Sequence, residues 1–258
     1  MADDEVPTGK YMYGIVRCAE PQQFSTPGIG DGHAVVHTVH EMGLAAVVSD
    51  SPLVRYDPSK PHMLAHTRVL EEVMARFTVL PVRFGTVAPS PEAAQQKVLR
   101  ARYGELNELL ALMDSRVELG LKAIWHKDVV FREIVEENPA IRQFRDRVIG
   151  RPPDETHFER IRLGEMVELA MGRKRDQDAE KLLSALRPLS HKTRANKVLT
   201  DRMVLNAAFL VNADRQTQFD EAVQRLGQEM GSRLMLKYVG PVPPYNFVHI
   251  VVHWDGQG

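Results

Sequence analysis

At 258 residues the chain is long enough for one large domain or two ordinary ones, and its 43% hydrophobic and 26% charged residues are near the average for a globular protein. Thirty-three basic side chains against 34 acidic ones leave a formal net charge of -1, which gives no bulk argument for nucleic acid or anionic lipid as a partner. The single cysteine, Cys18, excludes an intrachain disulfide and fits a reducing compartment. Met1 to Lys10 is acidic and polar, unlike a secretory signal, and no apolar run approaches the roughly 18 residues a membrane helix needs, so a cytoplasmic protein is expected.

In chain order, Tyr11, Tyr13 and Ile15 alternate with Met12, Gly14 and Val16 as in a strand. Glu20 to Gly32 is rich in Pro, Gly, Ser and Gln and reads as a loop. Ala34 to Val39 and Leu44 to Ser49 are two β-prone runs that His40-Glu41-Met42-Gly43 joins into a hairpin. After the Pro-rich piece from Ser51 to Pro61, Met63, Thr67, Leu70, Met74 and Phe77 mark one face of a helix. Thr78 to Val87 follows, a short apolar run broken by Pro81 and Gly85. Pro81 cannot donate to a ladder, so this strand belongs at a sheet edge or bulge.

Ser90 as N-cap and Pro91 as first residue start a helix running to Met113, with Leu99, Tyr103, Leu106, Leu110 and Met113 on one stripe. Val117, Leu119, Leu121, Ala123 and Trp125 then alternate as a strand. Asp128 to Glu137 is helical in pattern, Pro139 breaks it, and Gly150 to Pro153 interrupts again. Asp154 is placed to cap a long helix ending near Leu186. A β-prone region begins at Val198, and the almost wholly apolar Met203 to Val211 reads as a central strand. Asp214 is placed to cap a helix on which Phe219, Ala222, Val223, Leu226 and Met230 share a face. Leu234, Leu236 and Tyr238 alternate, and Phe247 to Trp254 forms a final β run.

The expected fold is α+β with two domains, each a ferredoxin-like βαββαβ antiparallel sheet plus helices, the first domain having a loop in place of its first helix. The expected boundaries are a disordered tail over 1–9, a domain over 10–88, a connecting helix over 89–115, and a second domain over 116–258 with extra helices at about 128–187 and a C-terminal strand or tail.

Chemical motifs are few. His33, His37 and His40 fall on a predicted strand and turn, where their side chains do not converge on one ion. His62 and His66 are spaced i,i+4 but lack a zincin carboxylate, and read as surface residues. Gly28-Ile29-Gly30-Asp31-Gly32 lacks the Gly-Lys-Ser/Thr ending of a phosphate loop and precedes a strand, not a helix. Cys18 has no base beside it, and Ser49-Asp50-Ser51 lacks the glycines of a nucleophile elbow. The basic groups Arg142, Arg145 and Arg147, and Arg173-Lys174-Arg175, are interleaved with acids and read as solvated helix faces. No catalytic set, cofactor or metal is expected.

Three blocks carry a resemblance: Tyr11-Met12-Tyr13-Gly14-Ile15-Val16, Leu80-Pro81-Val82-Arg83-Phe84-Gly85-Thr86-Val87, and Gly240-Pro241-Val242-Pro243-Pro244-Tyr245-Asn246-Phe247-Val248. In this order and spacing the chain resembles the gas vesicle protein GvpF/GvpL family from about Lys10 to Trp254. The resemblance implies two α+β domains and an accessory or minor structural protein of gas vesicle assembly, without enzymatic activity. It also implies contact with the small amphipathic shell protein (GvpA) and other vesicle proteins, a location at the vesicle shell, and no nucleic-acid or membrane partner. The candidate partner-binding residues are Pro81, Arg83, Phe84, Tyr245 and Phe247, at the Pro81 edge strand and the apolar C-terminal segment, where an edge or groove can shield an amphipathic subunit. The competing expectation is a small-molecule-binding or catalytic ferredoxin-like protein with a ligand between its domains.

Overall fold

The computed structural model describes residues 7–30, 33–252 and 254. The expected disordered tail therefore lies, over residues 1–6, outside the described residues, as do Asp31 and Gly32 of the glycine-rich loop. The chain divides into two compact units, one of Met1–Glu118 with Pro241–Gly258 and one of Leu119–Gly240. Residues 89–115, expected as a connector, and those from 241 on, expected in the second domain, lie in unit 1.

Unit 1 is built on β1 (Thr8–Arg17), β2 (Gln23–Phe24), β3 (Val36–Glu41), β4 (Leu44–Pro52), α1 (Lys60–Met74), β5 (Val79–Pro81) and β6 (Val87–Ala88). The sheet order is β2-β3-β4-β1-β5, with β6 also paired to β1. Leaving aside the short β2, which arises inside the expected loop, this is the second-third-first-fourth order of a βαββαβ unit. The described pairings are antiparallel. The β3–β4 hairpin closes on two residues, not four: Met42 and Gly43 have φ of 52° and 79°, and His40 and Glu41 belong to the strand. Positive φ at both positions matches the right-handed twist of the flanking strands.

β1 is the central strand and is buried almost throughout, with a register shift between Met12 and Gly14. On one side Tyr11, Tyr13, Val47, Val69, Leu70 and Val73 form the core against α1. At Gly14 the backbone approaches β5 so closely that a Cβ would lie 2.7 Å from Val79 Cγ2 and 3.0 Å from the Leu80 carbonyl oxygen. Gly14→Ala is therefore expected to lower stability by about 1–3 kcal/mol, read as a shift in the urea midpoint at constant m-value.

The α1 stripe differs from the expected one. Its buried residues are His66, Val69, Leu70 and Val73, whereas Met63 is 40% exposed. The expected stripe of alternating four- and three-residue steps took a helix edge for its centre. The helix after Ser90 is also not continuous. Ser90 Oγ accepts from the Ala93 N–H at 3.2 Å as expected, but α2 (Pro91–Ala93) widens into a π-helical stretch over Ala94–Arg100 before α3 (Tyr103–Met113).

β7 (Arg116–Trp125) leads into unit 2, which continues through α4 (Lys127–Glu137), α5 (Pro139–Val148), α6 (His157–Leu186), β8 (Lys192–Ala195), β9 (Met203–Asn212), α7 (Gln216–Met230) and β10 (Leu234–Val242). Its sheet runs β10-β7-β9-β8, the fourth-first-third-second order of a βαββαβ unit. β9 is buried along nearly its whole length, as its apolar sequence predicts. β8 lies at Lys192–Ala195, upstream of the expected Val198, because its polar exposed sequence gives no hydrophobic period. Asp154 and Asp214 fall in short 3-10 turns ahead of α6 and α7, and neither helix has a side-chain cap bond. The expected final strand over Phe247 to Trp254 reduces to a single parallel bridge between Val82 and Ile250.

An ionic network ties the inserted helices of unit 2 to its sheet. Arg233 donates to Glu133 at 2.6 and 2.9 Å and to the buried Asp178 at 2.9 and 3.1 Å, and Trp125 Nε1 donates to Asp178 at 2.8 Å. Lys174 joins Glu133 at 3.0 Å and Glu137 at 2.7 Å, and the Arg175 guanidinium lies 5.9 Å from the Trp125 ring centre. Of the Arg173-Lys174-Arg175 group, Arg173 is exposed as its interleaved acids suggested, whereas Lys174 and Arg175 are drawn into this network.

Candidate functional site

Within unit 1 an apolar cleft of about 590 Å³ opens between α1, the turn after β5 and the C-terminal segment. The volume falls in the range of small-molecule pockets and exceeds that of any one side chain. Ser59 and Pro61 start α1, the Ser59 hydroxyl accepting from the His62 N–H at 3.4 Å. Met63, His66 and Thr67 then fall three and four residues apart on one side and form the first wall.

The second wall is Pro81 to Phe84. β5 is the sheet edge, as Pro81 required, and Pro81 is its last residue. The Val82 N–H donates inward to the Tyr13 carbonyl at 2.9 Å, and the Arg83 N–H donates outward to the Ile250 carbonyl at 3.1 Å. Gly85, at φ 81°, turns the chain, and the Thr86 hydroxyl donates to the Arg83 carbonyl at 2.7 Å. This fold-back sets the Phe84 ring edge-on to His66, with centroids 5.6 Å apart.

The third wall, Tyr245 with Val248 to Val251, is held at two points. The Asn246 backbone N–H and side-chain amide donate to the buried Glu118 carboxylate at 2.8 and 2.6 Å, and Arg102 Nη1 donates to the Val251 carbonyl at 3.1 Å.

The polar groups of the cleft are organised by burial. The Gly85 N–H donates to the Tyr11 hydroxyl at 3.0 Å, and that hydroxyl lies 3.0 Å from His66 Nδ1. The tautomer that leaves the buried Tyr11 proton with a partner is the one in which Tyr11 donates to Nδ1, and the neutral imidazole is assigned its own proton on Nε2 on that ground. His66 is 2% exposed, and burial lowers its pKa from 6.5 to about 4. Burial also raises Tyr11 and Tyr13 above the usual phenol range and pushes Tyr245 up to about 12. The Tyr245 hydroxyl is buried without a hydrogen bond in good geometry among the described residues, with the Thr67 side chain beside it. Tyr11→Phe orphans His66 Nδ1 and removes an acceptor from the Gly85 N–H. A loss of about 2 kcal/mol in urea unfolding is expected.

Of the residues singled out in the sequence, Pro81, Arg83, Phe84 and Tyr245 line this one cleft, and Phe247 does not. Phe247 instead donates its backbone N–H to the Pro244 carbonyl at 3.1 Å in the turn that aims Tyr245. His66, read as a surface residue, is a buried wall of the site. Its spacing with Val69, Leu70 and Val73 on one helical face was the available signal. Of the other histidines, His40 lies 2.7 Å from the Thr38 hydroxyl and 3.1 Å from the Cys18 carbonyl, and His37 lies 3.2 Å from the Val35 carbonyl. Among the described residues no group of three or more His, Cys, Asp or Glu is placed to hold a metal, and no helix is long and apolar enough to cross a membrane.

Residues 9–249 match the family model described as gas vesicle synthesis protein GvpL/GvpF. The chain belongs to the GvpL/GvpF family. A gas vesicle protein F from Streptomyces sp. (strain CB03234) is 33% identical over 92% of this chain and 98% of its own length. One from Microcystis aeruginosa (strain PCC 7806) is 27% identical over 94% and 99%. The crystal structure of GvpF from Anabaena sp. PCC7120 superposes with a TM-score of 0.82 at 25% identity, covering 95% of this chain and all of that one. The Microcystis aeruginosa GvpF structure gives 0.76 at 27% identity, over 93% and 98%. The α+β fold with two sheets is therefore the fold of solved GvpF proteins, and a gas vesicle role follows from the GvpL/GvpF family.

Proposed function

We propose that this protein acts in gas vesicle assembly by contact with other proteins, without a reaction of its own, and that it engages the amphipathic shell protein (GvpA) through the unit 1 cleft. One observation carries this reading: two of the three sequence blocks that bear the family resemblance, distant along the chain, supply facing walls of the same apolar cleft. A free shell subunit must hide an apolar face until it is incorporated, and a groove lined by apolar side chains offers such a face a surface to bury against. The work is done in the cytoplasm, at or on the vesicle. Other vesicle proteins are further partners of the same kind.

The test is a pull-down from vesicle-forming cells with wild-type protein and with Met63→Asp, which places a charge on an exposed wall of the cleft. Wild type should retain the shell protein, and Met63→Asp at least tenfold less. Retention of neither the shell protein nor any other vesicle protein by wild type overturns the reading.

A further inference from the structure

The side chains around the cleft are one-sided in chemistry. Among its lining residues there is no carboxylate. Two carboxylates act on Tyr245 from outside the lining: Glu118 is taken by Asn246, and Glu71 is an exposed side chain of α1. Arg83 stands exposed at the mouth, its guanidinium without a hydrogen bond or ion pair among the described residues. Deeper in, His66 carries its proton on Nε2, which makes no hydrogen bond among the described residues, and the Tyr245 hydroxyl is buried with only the Thr67 side chain beside it, outside good hydrogen-bond geometry. Between these donors the surface is Met63, Phe84, Val248 and Ile250. Such a cavity is complementary to an apolar group flanked by acceptors and a negative charge. A basic or uncharged donor-rich occupant would leave the imidazole N–H buried against a donor.

We propose that the cleft is a socket for a short acidic segment of a partner protein, entered by an apolar side chain. The side chain fills the floor between Met63, Phe84 and Ile250. A main-chain carbonyl beside it takes the His66 Nε2–H or the Tyr245 hydroxyl, and a neighbouring carboxylate pairs with Arg83. This rests on the cleft being the contact surface, and goes further by fixing the chemistry of the segment it receives.

The test uses the 258-residue chain against fifteen-residue peptides tiled across gas vesicle proteins from the same cells, with affinities by fluorescence anisotropy. Peptides that bind should carry an apolar residue with Asp or Glu within a few positions. Replacing that acid by Lys should weaken binding at least tenfold. Arg83→Glu should weaken binding of the acidic peptide at least tenfold and restore the Lys-substituted one, whereas Arg83→Lys should stay within about threefold of wild type. Arg83 is an exposed side chain, so these variants keep the fold. Equal affinity for acidic and basic peptides, insensitivity to Arg83→Glu, or binding of decanoate with no peptide binding overturns the inference. If wild type retains no vesicle protein in the pull-down, the contact reading itself fails. If it retains them and no acidic peptide binds, only the socket chemistry fails.

Discussion

Arg233→Met is expected to lower the stability of unit 2 by about 3 kcal/mol or more, the cost of breaking one partner out of a largely buried ionic cluster. The guanidinium makes four bonds to two carboxylates, and Asp178 also receives the Trp125 indole N–H. Removing it leaves Glu133 with Lys174 alone and Asp178 with only the indole donor. Methionine retains most of the aliphatic stem, so the loss reports the charge and not the packing. A pH signature separates this from a packing defect. In the native protein burial works against ionisation of Glu133, but the bonds from Arg233 and Lys174 prevail and hold it below the usual carboxylate range. Without Arg233 the Glu133 carboxyl takes up its proton at higher pH, so the deficit against wild type should narrow as pH falls through the ordinary carboxylate range. Urea unfolding at three pH values, followed by Trp fluorescence, measures it. A deficit independent of pH would point to packing.

Acid should weaken unit 1 by a different route. His66 titrates at 6.5 when unfolded and at about 4 in the fold. Because the folded value is the lower one, the unfolded chain binds the extra proton between these limits. Stability is then full above about pH 6.5 and declines as pH falls toward 4, by on the order of 3 kcal/mol across the window. Protonation would also set an N–H at Nδ1 against the Tyr11 hydroxyl, whose oxygen already holds the Gly85 N–H. His66→Gln keeps an acceptor for Tyr11 and does not titrate. Its stability should be flatter between pH 7 and 4 by that amount, measured by urea midpoints. Glu72 is a control in both proteins. Its burial is overcome by hydrogen bonds from Ser25 and Thr26, which bring it to about 2, so its own loss begins near the ordinary carboxylate value of 4.5 and runs down to about 2, mostly below the His66 window.

Much of this was legible in the sequence, for reasons that differ by element. β1, β7 and β9 announced themselves because buried strands must be apolar or alternate, and Pro81 announced an edge because it lacks an N–H. The cleft residues Pro81, Arg83, Phe84 and Tyr245 could be picked from the family blocks, but not their convergence, which depends on the C-terminal segment returning to β5 through one bridge. β8 was missed because Lys192-Thr193-Arg194-Ala195 is polar and lies on an exposed edge, with no apolar period to mark it. His66 was missed because a titratable residue is expected at the surface unless a partner is visible, and its partner Tyr11 lies 55 residues away. The ionic cluster was missed for the same reason: Arg233 and Glu133 are 100 residues apart.

Unit 1 is assembled from both ends of the chain, with all of unit 2 in between. On the ribosome, therefore, the strands of β1 to β6 emerge long before the residues that close their open edge. Until translation reaches Ile250, the Arg83 N–H and the apolar floor around Phe84 have no cover. The wall from Tyr245 to Val251 is therefore added only after all of unit 2 has been made, so the cleft proposed for docking takes shape late in synthesis.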